Sequence, residues 1–214
     1  MNNYKKYIFD LDYTILIPDW SMEDEYFKKY IPKEQQEEFF KQKQDILNEY
    51  EITHKKYDLK ELSDFFESYG FYVSEKVIYG WMIHNGNKII DKVSDGVKEL
   101  FEYLKNNKKM IVVLTNWFSE TQILRLKRAG LYKYIDKIVA GDDAMKPSLK
   151  AFELAIEDDL KDECIMIGDS IKSDKIGAQR AGIDCYIIDK EHTIMDFYNK
   201  LLSYELNNKK VEIK

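Results

Sequence analysis

From about Ser94 onward, short apolar runs alternate with amphipathic stretches. The runs are Met110-Ile111-Val112-Val113-Leu114, Ile138-Val139-Ala140, Cys164-Ile165-Met166-Ile167 and Cys185-Tyr186-Ile187-Ile188, and an earlier one, Tyr7-Ile8-Phe9, lies near the N-terminus. Near-continuous runs of this length predict parallel strands buried on both faces, because the crossover helices cover both. Val97, Leu100, Phe101 and Leu104 fall at helical spacing, with Ser94 as the expected N-cap. Ser119 and Gln122 have the spacing of a capping box ahead of Ile123, Leu124 and Leu126, and Gly130 supplies a stop. Ser148 is placed to cap a helix carrying Phe152, Ala155 and Ile156. The alternation predicts an α/β fold built on a Rossmann-like open parallel sheet.

Residues 18–91 have a different texture. Apolar positions recur there with helical period among dense charge: Phe39, Phe40, Ile46, Leu47 and Tyr50 form one stripe. Leu59, Leu62, Phe65, Phe66 and Tyr69 form a second, with Asp58 and Glu61 at capping-box spacing, and Val77, Ile78, Trp81 and Met82 a third. No strand alternation is evident. The pattern predicts an all-helical unit, residues 18–91, inserted after the first strand of a core made from 1–17 and 92–214, with hinges near Ile17–Trp20 and Asn85–Asp91.

Composition narrows the function. The chain has 214 residues, 44% apolar and 34% charged, with a formal net charge of −6. That charge argues against a surface built for nucleic-acid or membrane phosphates. No apolar run approaches the roughly 20 residues of a membrane span, and Lys5 and Lys6 stand where a signal segment would be apolar. Two cysteines, Cys164 and Cys185, lie in predicted strands and suit a reducing compartment. The expectation is a cytoplasmic protein, monomer or homodimer, with no nucleic-acid or membrane partner.

The chemistry should stand where the apolar runs end, since open parallel sheets bind ligands beyond the carboxyl ends of their strands. Asp10, Leu11, Asp12, Tyr13 and Thr14 follow the first run. Thr115 and Asn116 follow the Met110 run, Lys146 the Ile138 run by a short loop, and Gly168, Asp169 and then Asp174 the Cys164 run. Several carboxylates on one edge repel one another unless a cation joins them. Oxygen ligands without a nearby histidine or cysteine favour magnesium over zinc. Thr115, Asn116 and Lys146 are donors suited to phosphate oxygens, and the set describes a phosphoryl-transfer site.

At these residues the sequence resembles the haloacid dehalogenase-like hydrolase superfamily. Phe9-Asp10-Leu11-Asp12-Tyr13-Thr14, Leu114-Thr115-Asn116, Lys146-Pro147 and Gly168-Asp169-Ser170-Ile171-Lys172-Ser173-Asp174 resemble its four motifs, in order. Gly177-Ala178 and Ala181-Gly182 are also typical of it. The resemblance implies Asp10 as nucleophile, passing through an aspartyl-phosphate, and Asp12 as general acid and then base. It implies magnesium held by the Asp10 carboxylate, the Asp12 backbone carbonyl and Asp169. Thr115 and Asn116 would address the phosphoryl group, Lys146 would offset developing charge, and Asp174 would orient Lys146 or a metal-bound water.

Asp12 favours ester hydrolysis over dehalogenation, because an alkoxide needs a proton to leave and a halide does not. The family often has glycine where this chain has Tyr13. About 100 residues separate Thr14 from Thr115 but only about 30 separate Asn116 from Lys146, which places a single helical cap between the first two motifs. A capped site implies a small phosphate ester, nucleotide or sugar phosphate, as substrate. The alternatives are a phospho-aspartate switch without turnover, a dehalogenase, a phosphonatase, or a structural relative acting through its cap.

Other signals have plainer explanations. Asp142 and Asp143 read as turn residues. Trp20, Tyr26, Trp81 and Tyr13 are candidates to line a pocket, though Trp81 sits in an apolar stripe that favours the core. His54-Lys55-Lys56 reads as exposed charge unless its loop faces the core, and His84 and His192 lack metal-ligand spacing.

Overall fold

Every apolar run forms a strand, and all of these strands join one sheet. The computed structural model describes residues 4–212, with side chains described through 204. In chain order the elements are β1 (Lys6–Phe9), β2 (Leu16–Asp19), α1 (Glu23–Phe27), α2 (Lys33–Thr53), α3 (Leu59–Ser68) and α4 (Glu75–Lys88). Next come β3 (Ile90–Val93), α5 (Val97–Asn106), β4 (Met110–Leu114), α6 (Ser119–Arg128), β5 (Lys137–Val139) and α7 (Leu149–Ile156). The chain closes with β6 (Cys164–Gly168), α8 (Ile176–Ala181), β7 (Asp184–Ile187) and α9 (Ile194–Glu212).

The five-stranded sheet has the order β5-β4-β1-β6-β7 and is parallel throughout. Alternate residues of each strand point to opposite faces. Tyr7, Phe9, Ile111, Val113, Ile165 and Ile167 pack with α5, α6 and α9 on one face. Ile8, Val112, Leu114, Cys164 and Met166 pack with α7 and α8 on the other. Burial on both sides accounts for the lack of polar alternation in these strands. Central β1 lies between β4 and β6, with Phe9 in register with both Val113 and Ile167. Its carboxyl end is therefore flanked by theirs, at the point where the strand order reverses.

Helices α1–α4 share an apolar cluster that includes Phe27, Phe39, Phe66 and Trp81 and reaches Phe118 and Met145 of the loops beyond the sheet. α4 lies directly on α6: a Cβ at Gly86 would stand 2.7 Å from Leu124, and Arg128 donates to the Gly86 and Ile89 carbonyls. The 54–57 loop also faces the sheet's end. Tyr57 N donates to Gly141 O and Met145 N to Lys55 O, while the Lys55 and Lys56 side chains stay exposed.

Three local expectations are corrected. β2 and β3 form an antiparallel ribbon at the expected hinges, where no strand was evident in the sequence. Its outward residues Ile17 and Ile90 are exposed, so the apolar pattern does not mark a buried face. α5 is preceded by Gly96 at φ 87, and Ser94 contributes only its carbonyl, to Val97 N. Gln122 does not complete a capping box; Asp142 instead accepts from Ser119 N and Oγ. Ser148 and Asp58 do cap α7 and α3 through their side chains. α9 continues to Glu212, and Ile213 lies outside the described residues. Cys164 and Cys185 are free thiols, and among the described residues no helix is long and apolar enough to cross a membrane.

Candidate active site

The carboxyl ends of β1, β4 and β6 deliver Asp10, Thr115 and Asp169, and the loop after β5 delivers Lys146. Asp10 extends the β1 ladder by donating its N–H to Ile167 O at 2.8 Å, which fixes its backbone at the sheet edge. Past it the chain turns sharply, with Ile15 N and Leu16 N both donating to Leu11 O. Tyr13 takes φ 58 in this turn, a left-handed conformation that glycine adopts without strain. This explains why glycine suits the position.

Lys146 is the hub. Its Nζ donates to Asp10 Oδ1 and to Asp174 Oδ1, each at 2.6 Å, and all three side chains are nearly removed from solvent. Asp174 is held in turn by Ser170 N at 3.0 Å, on a single π-helical turn over Ile171–Lys175. A Cβ at Gly168 would lie 2.2 Å from Asp174 Oδ2, so only glycine lets this carboxylate tuck under β6. One ammonium thus faces two carboxylates, and oxygens of Asp10, Asp169 and Asp174 lie within 4.8 Å of one another. Burial pushes Asp10 well above the ordinary carboxylate range; Lys146 pulls it down, while Asp174 and Asp12 add to the rise. Burial and Asp174 raise Asp169 as well.

This donor set fits a hard divalent cation. It is all oxygen, buried at Asp10 and Asp174 and half-buried at Asp169, and short of positive charge. Asp174 is committed to Lys146 and Ser170, which leaves Asp10 and Asp169 as the carboxylates with room for a metal.

Thr115 is 2% exposed; its hydroxyl donates to Asn116 O and accepts from Gln122 Nε2 at 3.1 Å. Asn116, expected to address phosphate, has both ends of its amide engaged. Oδ1 accepts from Lys146 N at 2.9 Å, while Nδ2 donates to Lys146 O and to Glu51 Oε2. In this arrangement it clamps the loop that carries Lys146. Asp12 lies beside the others, with its Oδ1 2.6 Å from Arg125 Nη2.

A cavity of about 620 Å³ separates these residues from the helices above. Asp10, Asp12, Thr115 and Lys146 line its floor, and Glu23, Lys43, Leu47 and Trp81 line its roof. Trp20 and Tyr13 also line it, whereas Tyr26 is buried with its hydroxyl on Val77 O. Trp81 is both core and wall: it is 1% exposed and its Nε1 donates to Glu23. Asp143 accepts from Ala140 N, as a turn residue does, whereas Asp142 reaches across to cap α6 at Ser119.

The sequence did not point to Glu51, Asp91, Gln122 or Arg125. One signal was available: Gln122 and Arg125 occupy inward positions of an amphipathic helix, where apolar residues are the rule, and both are buried.

The family model for haloacid dehalogenase-like hydrolases matches residues 4–182. Pyrimidine 5'-nucleotidase YjjG of Escherichia coli is 32% identical over 102 residues, 45% of each chain. Ribulose-1,5-bisphosphate 5-phosphatase of Halopiger xanaduensis is 29% identical over 96 residues, 43% of this chain and 40% of that protein. The matches thus span less than half the length of these curated relatives. The magnesium-bound structure of HAD-hydrolase YfnB from Bacillus subtilis superposes with a TM-score of 0.63 at 22% identity, covering 94% of this chain and 99% of that one. At that identity the likeness speaks for the fold. With the family model spanning β1 to β6, the helical segment between them and all four motifs, the chain belongs to the haloacid dehalogenase-like hydrolases.

Proposed function

We propose that this enzyme is a magnesium-dependent phosphatase acting on a small phosphomonoester, with Asp10 as nucleophile. The observation that carries the reading is the buried Asp10–Lys146–Asp174 triplet beside Thr115, with a second carboxyl, Asp12, two residues beyond the nucleophile. Asp10 attacks phosphorus through a carboxylate oxygen, the bond to the leaving oxygen breaks, and Asp12 supplies the proton that oxygen needs. Asp12, now ionised, takes a proton from water as the water attacks the aspartyl-phosphate. Inorganic phosphate leaves and Asp10 is regenerated. Lys146 stabilises charge on the Asp10 and phosphoryl oxygens, and the Thr115 hydroxyl bonds the transferring group. Asn116 and Asp174 keep Lys146 in place.

Asp10, Asp169 and the Asp12 backbone carbonyl would hold the magnesium, which neutralises phosphate charge in a pocket otherwise rich in carboxylates. That YfnB was crystallised with magnesium supports the choice of metal. Residues 18–91 act in this reading as a cap whose helices roof the cavity. The enclosure favours a small molecule over a protein substrate, and the nucleotidase and sugar-bisphosphate phosphatase relatives support a nucleotide or sugar phosphate.

The test is hydrolysis of 4-nitrophenyl phosphate by the purified chain with and without magnesium. Turnover should require the metal and fall by about 10³-fold or more in Asp10→Asn. Wild-type protein inert toward a broad panel of phosphate esters, and indistinguishable from the variant, would overturn the reading.

A further inference from the structure

Arg125 is among the largest fully buried side chains, and its donors are divided between two parts of the molecule. Nε and Nη2 straddle the Asp91 carboxylate at 2.7–3.3 Å, and Nη1 donates to Gln122 Oε1 at 2.9 Å. Nη2 also reaches Asp12 Oδ1 at 2.6 Å. Asp91 belongs to β3, one strand of the ribbon joining the helical insertion to the sheet. The face of the guanidinium lies 5.3 Å from the ring of Trp20, the residue that follows β2, the other strand. Both ends of the ribbon therefore grip the group that holds Asp12.

We infer that Asp91 and Arg125 are positioning residues for Asp12, fixing its carboxyl over the leaving-group oxygen and tying that placement to the β2–β3 ribbon. The inference rests on the phosphatase reading above. A guanidinium is planar, with donors in a rigid fork. Once Asp91 and Gln122 fix its plane, the direction of the second Nη2 N–H toward Asp12 is fixed too. A plain structural ion pair needs only the buried Asp91, 5% exposed, whereas Asp12 is 26% exposed and lines the cavity. Gln122 carries the same scaffold onward to Thr115 Oγ1. A displaced acid slows formation of the aspartyl-phosphate only where the leaving group needs a proton.

The experiment compares two esters, an alkyl phosphate and 2,4-dinitrophenyl phosphate, whose leaving group departs as the anion. Asp91→Asn should lower kcat/KM, which reports formation of the aspartyl-phosphate and not its hydrolysis, about 10- to 100-fold on the alkyl ester and far less on the activated ester. Asp12→Asn should show the same selectivity on a larger scale. Arg125→Lys, which keeps the charge but loses the fork, carries the same expectation should Asp91→Asn melt below the assay temperature. Equal losses on both esters, no loss on either, or unfolding of both variants would mark the pair as structural and overturn the inference. If wild-type protein hydrolyses neither ester, the phosphatase reading fails first and the positioning role falls with it.

Discussion

Lys146 is hydrogen-bonded to both buried carboxylates of the triplet, and its removal should be felt beyond catalysis. Lys146→Met leaves Asp10 and Asp174 side by side without a counter-charge, whereas Asp174→Asn leaves a charge-balanced Asp10–Lys146 pair and keeps an amide oxygen to accept from Ser170 N. Orphaning a buried charge typically costs about 3–5 kcal/mol. In urea melts at neutral pH with chelator present, Lys146→Met should lose stability on that scale and Asp174→Asn distinctly less. Equal losses would mean that packing, not charge, holds the triplet. Asp10, Thr115, Lys146, Asp169 and Asp174 were legible in sequence because each follows a strand end, so local pattern and sheet geometry suffice to gather them. Arg125 and Asp91 were not. The partners of Arg125 lie 34 and 113 residues away, and no local spacing encodes such a meeting. Asn116 was found, but its use was not: only the folded loop brings the Lys146 backbone against its amide.

At the scale of elements, the sheet was legible because strands buried on both faces write themselves as unbroken apolar runs. The β2–β3 ribbon was not, since its apolar residues Ile17 and Ile90 face solvent while Asp91 turns inward to Arg125. Leu16 and Pro18 are buried on the other face, so apolar residues stand on both sides of the ribbon and no polar alternation marks the inward one. Element ends carry their own signatures. α7 stops at Glu157, a non-glycine residue at φ 58 and ψ −131, which joins β1 and β5 by accepting from Lys6 at 3.2 Å and Lys137 at 2.5 Å. Its carboxylate is 45% exposed, so these pairs contribute at most about 1 kcal/mol each. Lys6 also keeps Asp159 and the Ile156 carbonyl. The backbone, by contrast, favours glycine. Glu157→Gly should be about 1 kcal/mol more stable than Glu157→Ala in thermal melts, despite the greater chain entropy of glycine. An alanine variant equal to or better than glycine would show that the turn is not strained.

For the whole molecule, folding gathers like charges at one edge of the sheet, and the cation should therefore act as a structural ligand as well as a catalytic one. Asp10 and Asp169 both have folded-state pKa values above those of an unfolded chain. Between the two values the folded protein binds more protons, so stability from these groups is present at low pH and is lost as pH rises through the raised values. A cation on the same oxygens replaces the missing protons and competes with them. Magnesium at about 100 times its dissociation constant stabilises by about 2.7 kcal/mol, or roughly 5–10 °C in melting temperature for a chain this long. That gain should be largest near pH 8 and shrink toward about pH 5, as protons take up the carboxylates. Carboxylates with lowered values elsewhere, such as Asp189 and Asp196, pull stability the opposite way with pH. They lie outside the cluster and cancel when melts with and without magnesium are subtracted at each pH. A gain that grows on acidification, or none at any pH, would place the metal somewhere other than on Asp10 and Asp169.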